Sequence, residues 1–202
     1  MMSIGLPWIA GRSFDAVVIG GSAGSVEALS VLLPALPAPQ RAAVLVVLHL
    51  PRDRPSLLCE IFQPRCALPL REAQDKEPVE PGTVYFAPPD YHLLIDAGPT
   101  LSLSVDDPVH FSRPSIDVLF ESAADAYGDR LLAILLSGAN QDGAQGIAAV
   151  QAAGGATIVQ DPESASMTPM PEAALQLCTP TRVLAPPRIA ELLAALPHGA
   201  RA

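Results

Sequence analysis

Ser22, His49 and Asp142 supply a hydroxyl, an imidazole and a carboxylate, and each stands just beyond an apolar run of the chain. Together they are the parts of a nucleophilic triad. A serine hydroxyl is barely nucleophilic at neutral pH without a base, an imidazole titrates close to working pH, and a carboxylate fixes the imidazole tautomer and stabilises imidazolium. Ser22 lies in Gly20-Gly21-Ser22-Ala23-Gly24, a G-x-S-x-G turn fed by Ala16-Val17-Val18-Ile19 and opening onto Val26 to Leu33. A sharp glycine-flanked turn between strand and helix lifts such a hydroxyl clear of the sheet, and the helix start leaves backbone N–H groups facing developing negative charge.

Each residue also has a plainer reading. Ser22 could cap a helix in a phosphate-binding turn, His49 could be a satisfied histidine at a strand end, and Asp142 could belong to an Asp-Gly turn or cap a helix. The glycines lack G-x-G-x-x-G spacing, and His49 stands where a dinucleotide fold prefers an acid for the ribose. Asp15 and Asp129 precede their strands and belong to the wrong edge, while Asp161 follows a strand and competes with Asp142. Ser22, Asp142 and His198 satisfy the usual α/β-hydrolase order, but His198 sits in a Pro-His-Gly tail. Neither His92 nor His110 has metal-ligand spacing, and neither a metal nor a cofactor is expected.

The elements that position these residues alternate between strand and helix. Asp15 to Ile19, Val44 to Leu48, Leu131 to Leu136 and Ala156 to Val159 are continuous apolar runs, the pattern of strands covered on both faces. Amphipathic stretches lie at Val26 to Leu33, Ser56 to Phe62, Ser115 to Tyr127 and Ala144 to Ala152. The clearest helix starts at Pro114, aligns Ile116, Leu119, Phe120, Ala123 and Tyr127, and stops at Gly128. Short runs at Val84 to Ala87, Leu93 to Ile95 and Leu101 to Leu103 predict an antiparallel hairpin. The fold class expected is α/β: three layers, a doubly wound and mostly parallel sheet, and an inserted antiparallel edge hairpin. Right-handed crossovers then bring Ser22, His49 and Asp142 to one sheet edge, where open α/β sheets bind ligands.

Length and composition bound the rest. With 202 residues, half of them apolar, one domain is expected over 14–197, after a lead-in at 1–13 and before a tail at 198–202. A net charge of -9 without a Lys/Arg cluster argues against nucleic acid. No apolar run is long enough to span or insert into a bilayer, and the start lacks a signal-peptide core, so a cytoplasmic location is expected. Cys59, Cys66 and Cys178 form no C-x-x-C pair and fit buried thiols in a reducing compartment. The 22 prolines are scattered between apolar segments as loop punctuation.

Several blocks together resemble the catalytic domain of the CheB chemotaxis receptor methylesterases: Ile19 to Gly24, His49-Leu50-Pro51, Ala87-Pro88 through His92, Arg113 to Phe120, Ser137-Gly138 through Asp142-Gly143, and Met170-Pro171. The resemblance implies a Ser22, His49, Asp142 triad, in an order unlike that of the usual hydrolases. It also implies hydrolysis of glutamate methyl esters on membrane chemoreceptors, with receptor glutamine deamidation as a related activity. Backbone N–H groups of Ala23 and Ala139 are the candidates for the oxyanion, and Arg113 and Met170 are candidate substrate contacts. The chain departs from the family where Ala23-Gly24-Ser25 stands for Thr-Gly-Gly, where Ala139-Asn140-Gln141 stands for Met-Gly-Asn, and at Pro169 where glycine is usual. The family's receiver domain has no counterpart before Ser22, so the expectation is a stand-alone catalytic domain, constitutively active or controlled by a separate protein. Two alternatives stay open: a patatin-like Ser-Asp acyl hydrolase that needs no histidine, and a catalytically idle module binding phosphate or a receptor segment.

Overall fold

A computed structural model describes residues 12–197; the lead-in up to residue 11, the tail and His198 lie outside the described residues. Seven parallel strands form the main sheet in the order β3-β4-β2-β1-β7-β8-β9. They are β1 (Ala16–Gly21), β2 (Ala43–Leu48), β3 (Leu70–Glu72), β4 (Val84–Phe86), β7 (Leu131–Leu135), β8 (Ala156–Gln160) and β9 (Arg182–Leu184). The central strands β1, β2, β7 and β8 are buried at every position, as strands sandwiched between helical layers must be.

Alternate residues of each strand feed two cores. Val17, Ile19, Val44, Val46 and Ile134 face α1 (Ser25–Leu32), α2 (Leu58–Phe62) and α6 (Pro186–Ala194). Ala16, Val18, Leu45, Val47 and Ala133 face the opposite layer of α3 (Ile116–Tyr127), α4 (Ala144–Ala152) and α5 (Pro169–Leu177). Each fully buried Val, Leu or Ile side chain contributes roughly 1.5–3 kcal/mol. The sheet is therefore the rigid part from which site residues project.

The antiparallel hairpin consists of β5 (His92–Asp96) and β6 (Thr100–Ser104), paired from His92↔Ser104 to Asp96↔Thr100. It forms its own sheet and joins the α3 layer, where the Ile95 N–H donates to Ser122 Oγ at 3.1 Å. Val84–Phe86, expected within the hairpin region, is instead a parallel strand between β3 and β2. Its three residues are all buried, so the alternating pattern there was incidental. The stripe Ile116, Leu119, Phe120, Ala123 and Tyr127 is buried as expected. The helix itself begins at Ile116 behind Ser115, two residues later than its proline suggested.

The strand order reverses at β1, whose neighbours are β2 on one side and β7 on the other. Such a switch point opens a crevice at the carboxyl ends of the strands. Ser22 stands at that point.

Candidate active site

Ser22 is the first residue after β1 and His49 the first after β2. These strands are parallel neighbours with Gly21 opposite Leu48, one strand spacing of about 4.8 Å away, so the serine and histidine leave the sheet from adjacent strand ends. The His49 N–H donates to Gly21 O at 3.2 Å, extending the ladder to the last residue before the serine. Ser22 N–H donates to Ser137 O at 2.9 Å and lies 3.2 Å from Ser25 Oγ, which itself donates to Ser137 O at 2.7 Å. Gly24, with φ of 83°, supplies the left-handed residue that turns the chain into α1. A side chain at Gly21 would put its Cβ 2.2 Å from Ser25 Oγ, so the turn closes only around glycine.

Asp142 follows β7 in a turn where its N–H donates to Asn140 Oδ1 at 3.2 Å and Gly143, at φ of 97°, starts α4. Its carboxylate is fully buried. Oδ2 accepts from His49 Nε2 at 2.8 Å and from the Ile116 N–H at 2.8 Å. Oδ1 accepts from Ser115 Oγ at 2.8 Å and from the Asp117 N–H at 3.0 Å. Burial alone would raise this carboxyl, but the bonds from His49, the two backbone N–H groups and Ser115 outweigh it and hold the pKa below its ordinary value. The two N–H groups are the free donors of the α3 N-terminus, whose partial positive charge adds to the effect. Asp142 thus caps α3 from another segment and holds His49 at the same time, combining the plainer role with the chemical one.

The competitor Asp161 is occupied elsewhere, with its Oδ1 accepting from the Glu163 N–H at 3.1 Å. Ala23 and Ala139 are both exposed, and among the described residues neither N–H donates to a protein acceptor. Arg113 commits Nε and Nη2 to Asp90 Oδ1 at 3.0 and 2.8 Å, and Nη1 to the carbonyls of Val105 and Asp106. That network fastens the approach to α3, which is the structural role its position allowed. Met170 is fully buried behind Gly138, where an added Cβ would fall 2.3 Å from its Cε, and its N–H donates to Gly138 O at 3.0 Å. It shapes the Ser137-Gly138 turn from below, so its expected place among substrate contacts is corrected to a core position.

Four residues the sequence reasoning missed surround the histidine and aspartate. Ser115 occupies a helix-cap position but turns its hydroxyl to Asp142. His92 is buried and accepts the Ser115 N–H on Nδ1 at 3.1 Å, leaving Nε2 to donate to Asp107 O at 3.2 Å. Ser112 Oγ lies 3.3 Å from His49 Nδ1. Asp117, with Oδ2 3.4 Å from His110 Nε2, has a pKa raised to about 6, chiefly by burial and further by the Asp142 charge, against the Gly146 N–H that lowers it. The signal for Ser115 was present as a serine before an apolar helix start; the other three depend on segments distant in sequence.

A 400 Å³ cavity at the other end of the strands, lined by Asp15, Ala43 and Tyr127, shares no residue with this cluster. No helix among the described residues is long and apolar enough to cross a membrane.

Comparison with known proteins identifies what the chain is similar to. A putative protein-glutamate methylesterase/protein-glutamine glutaminase of Leptospira interrogans is 42% identical over 180 residues, covering 89% of this chain and 93% of that protein. A protein-glutamate methylesterase/protein-glutamine glutaminase of Symbiobacterium thermophilum is 38% identical over 177 residues, covering 88% of this chain and 49% of that longer protein. The crystal structure of the Thermotoga maritima CheB methylesterase catalytic domain superposes with a TM-score of 0.86 at 33% identity, covering 90% of this chain and 98% of that one. The CheB methylesterase family model matches residues 17–193, nearly the whole described fold, and the chain belongs to that family.

Proposed function

We propose that this chain is a serine hydrolase that removes methyl groups from glutamate side-chain esters of a chemoreceptor, working in the cytoplasm with Ser22, His49 and Asp142 as its triad. The observation that carries the proposal is His49, fastened to a buried carboxylate through Nε2 and emerging beside Ser22 from the neighbouring strand. Because Asp142 holds Nε2, the base toward serine is Nδ1. Among the described residues Nδ1 meets only the Ser112 hydroxyl, at 3.3 Å.

In the first half-reaction Ser22 Oγ attacks the ester carbonyl carbon while Nδ1 takes its proton. The N–H groups of Ala23 and Ala139 receive the oxyanion. Collapse of the tetrahedral intermediate breaks the bond to methoxide, which leaves as methanol with the proton from His49. Water then gives a proton to the same nitrogen, attacks the acyl-enzyme, and releases glutamate and the serine hydroxyl. The glutaminase reaction follows the same path with ammonia leaving. A Ser-Asp dyad without histidine fits poorly, since all four close donors to Asp142 come from His49 and the α3 start.

Methanol release from a methylated chemoreceptor fragment tests the proposal. Ser22→Ala is expected to lower turnover by several orders of magnitude with the fold intact, and His49→Ala to do the same. Near-full activity of His49→Ala would transfer the chemistry to a dyad. A folded protein that neither releases methanol nor labels with a fluorophosphonate at Ser22 would be a binding module.

A further inference from the structure

Between β6 and α3 the chain makes a two-residue hairpin whose position and composition do not follow from packing. Val109 and Ser112 exchange backbone hydrogen bonds of 3.1 and 2.8 Å, and the residues between them, His110 and Phe111, have φ of 47° and 63°. Two left-handed residues in succession are what such a turn demands, and Asn-Gly is the pair that adopts them most readily. A benzyl side chain is costly there. Phe111 is nevertheless 97% exposed, so no burial among the described residues offsets the cost.

The turn is held firmly from three sides. Arg52 Nη2 donates to Phe111 O at 3.0 Å, Asn140 Nδ2 to His110 O at 3.3 Å, and Ser112 Oγ lies on His49 Nδ1. Phe111 and His49 line the same 110 Å³ hollow. The exposed side chain of Met167 stands on a segment fixed by its N–H to Ser137 Oγ at 2.9 Å and by its carbonyl to the Gly138 N–H at 3.2 Å, in the turn to which the Ser22 N–H also bonds. A fixed backbone therefore presents an aromatic side chain at the hollow of His49 and a thioether side chain at the turn that holds the Ser22 N–H, both open to solvent.

We infer that Phe111 is a specificity-determining residue, pressing on an apolar side chain of the substrate protein next to the esterified glutamate, with Met167 as the second contact. This rests on the ester-hydrolase reading above and names how that site selects a protein over a small ester. A rigid aromatic supplies large contact area with little rotamer entropy to lose, which is why aromatic side chains dominate recognition surfaces. A strained residue with no internal partner has its compensation in a bound one.

The test compares two substrates in the intact chain: the methylated receptor fragment and p-nitrophenyl acetate, which carries no protein side chain next to its ester. Phe111→Asn keeps the left-handed turn and removes the ring. It is expected to raise KM for the receptor fragment about tenfold and leave p-nitrophenyl acetate hydrolysis within about twofold, while Phe111→Trp retains the receptor KM. An unchanged receptor KM in Phe111→Asn overturns the inference alone. Equal losses on both substrates also overturn it, since the turn would then serve only His49 through Ser112. If the wild-type chain cleaves p-nitrophenyl acetate but releases no methanol from the receptor, the substrate reading itself fails and this inference falls with it.

Discussion

Replacing Asp142 by asparagine separates the charge of this residue from its shape. The amide keeps one acceptor oxygen and converts the other into a donor, so one pair of the four existing bonds must meet an NH2 group. An NH2 at the Oδ2 position would oppose the Ile116 N–H, which cannot turn away, and would leave His49 Nε2 to accept, moving its proton to Nδ1. At the Oδ1 position it would oppose the Ser115 hydroxyl, which can rotate to accept, and the Asp117 N–H, which cannot. Either orientation orphans one buried backbone N–H, and in the first the His49 proton sits on Nδ1, the nitrogen that must take the serine proton. One buried N–H is then orphaned at about 1–3 kcal/mol, and the other bonds fall from charge-assisted to neutral strength, roughly 1 kcal/mol each. Relief of burying a charge offsets part of this. The net loss is about 1–3 kcal/mol, read as a fall in thermal midpoint of roughly 2–4 °C per kcal/mol. Turnover suffers both from the missing charge beside imidazolium and from the fraction of His49 whose proton sits on Nδ1, and is expected to fall about 10³–10⁴-fold at unchanged pH. Methanol release measured well below the unfolding midpoint decides the matter. A folded Asp142→Asn protein within tenfold of wild type would refute the claim that this carboxylate acts on the reaction through His49.

Two other perturbations probe the supports of the site. Gly143→Ala combines a φ of 97° with a Cβ placed 2.4 Å from Leu135 Cδ1 and 2.8 Å from Ile116 Cγ2. It should cost about 2–5 kcal/mol and reduce activity by displacing Asp142, as chemical denaturation and methanol release would show together. Burial raises the Asp117 carboxyl from 3.8 to about 6, so between those values the folded chain binds more protons than the unfolded one. Stability therefore falls as pH rises through this window, by on the order of 1–3 kcal/mol, and Asp117→Asn should flatten the slope while Asn Oδ1 still accepts the Gly146 N–H. Asp142 has the opposite sign, its stabilisation being lost only as pH drops below the ordinary carboxyl range. Urea unfolding of both proteins from pH 4.5 to 7 checks the difference; parallel curves would remove Asp117 as its source.

The sequence by itself determined the parallel strands, because runs such as Val44 to Leu48 are apolar at every position and only a sheet covered on both faces accommodates them. It also determined that Ser22, His49 and Asp142 share an edge, since each follows a strand and right-handed crossovers put strand ends together. Local pattern went no further. Val84–Phe86 looked like hairpin and became a parallel strand of the main sheet, one in from its edge, because three residues carry too little periodicity to reveal which partner they pair with. Ser115 was visible as a cap, yet its hydroxyl turns to Asp142, whose carboxylate takes over the helix N–H groups. That exchange joins segments 27 residues apart, and the contact of His49 with Asp142 joins segments 93 apart. Which imidazole nitrogen meets the carboxylate, what satisfies that carboxylate in a dry interior, and which side chains stand on the rim are properties of the packed chain. They arise only when α3 is laid across the sheet with its N-terminus aimed at the end of β7.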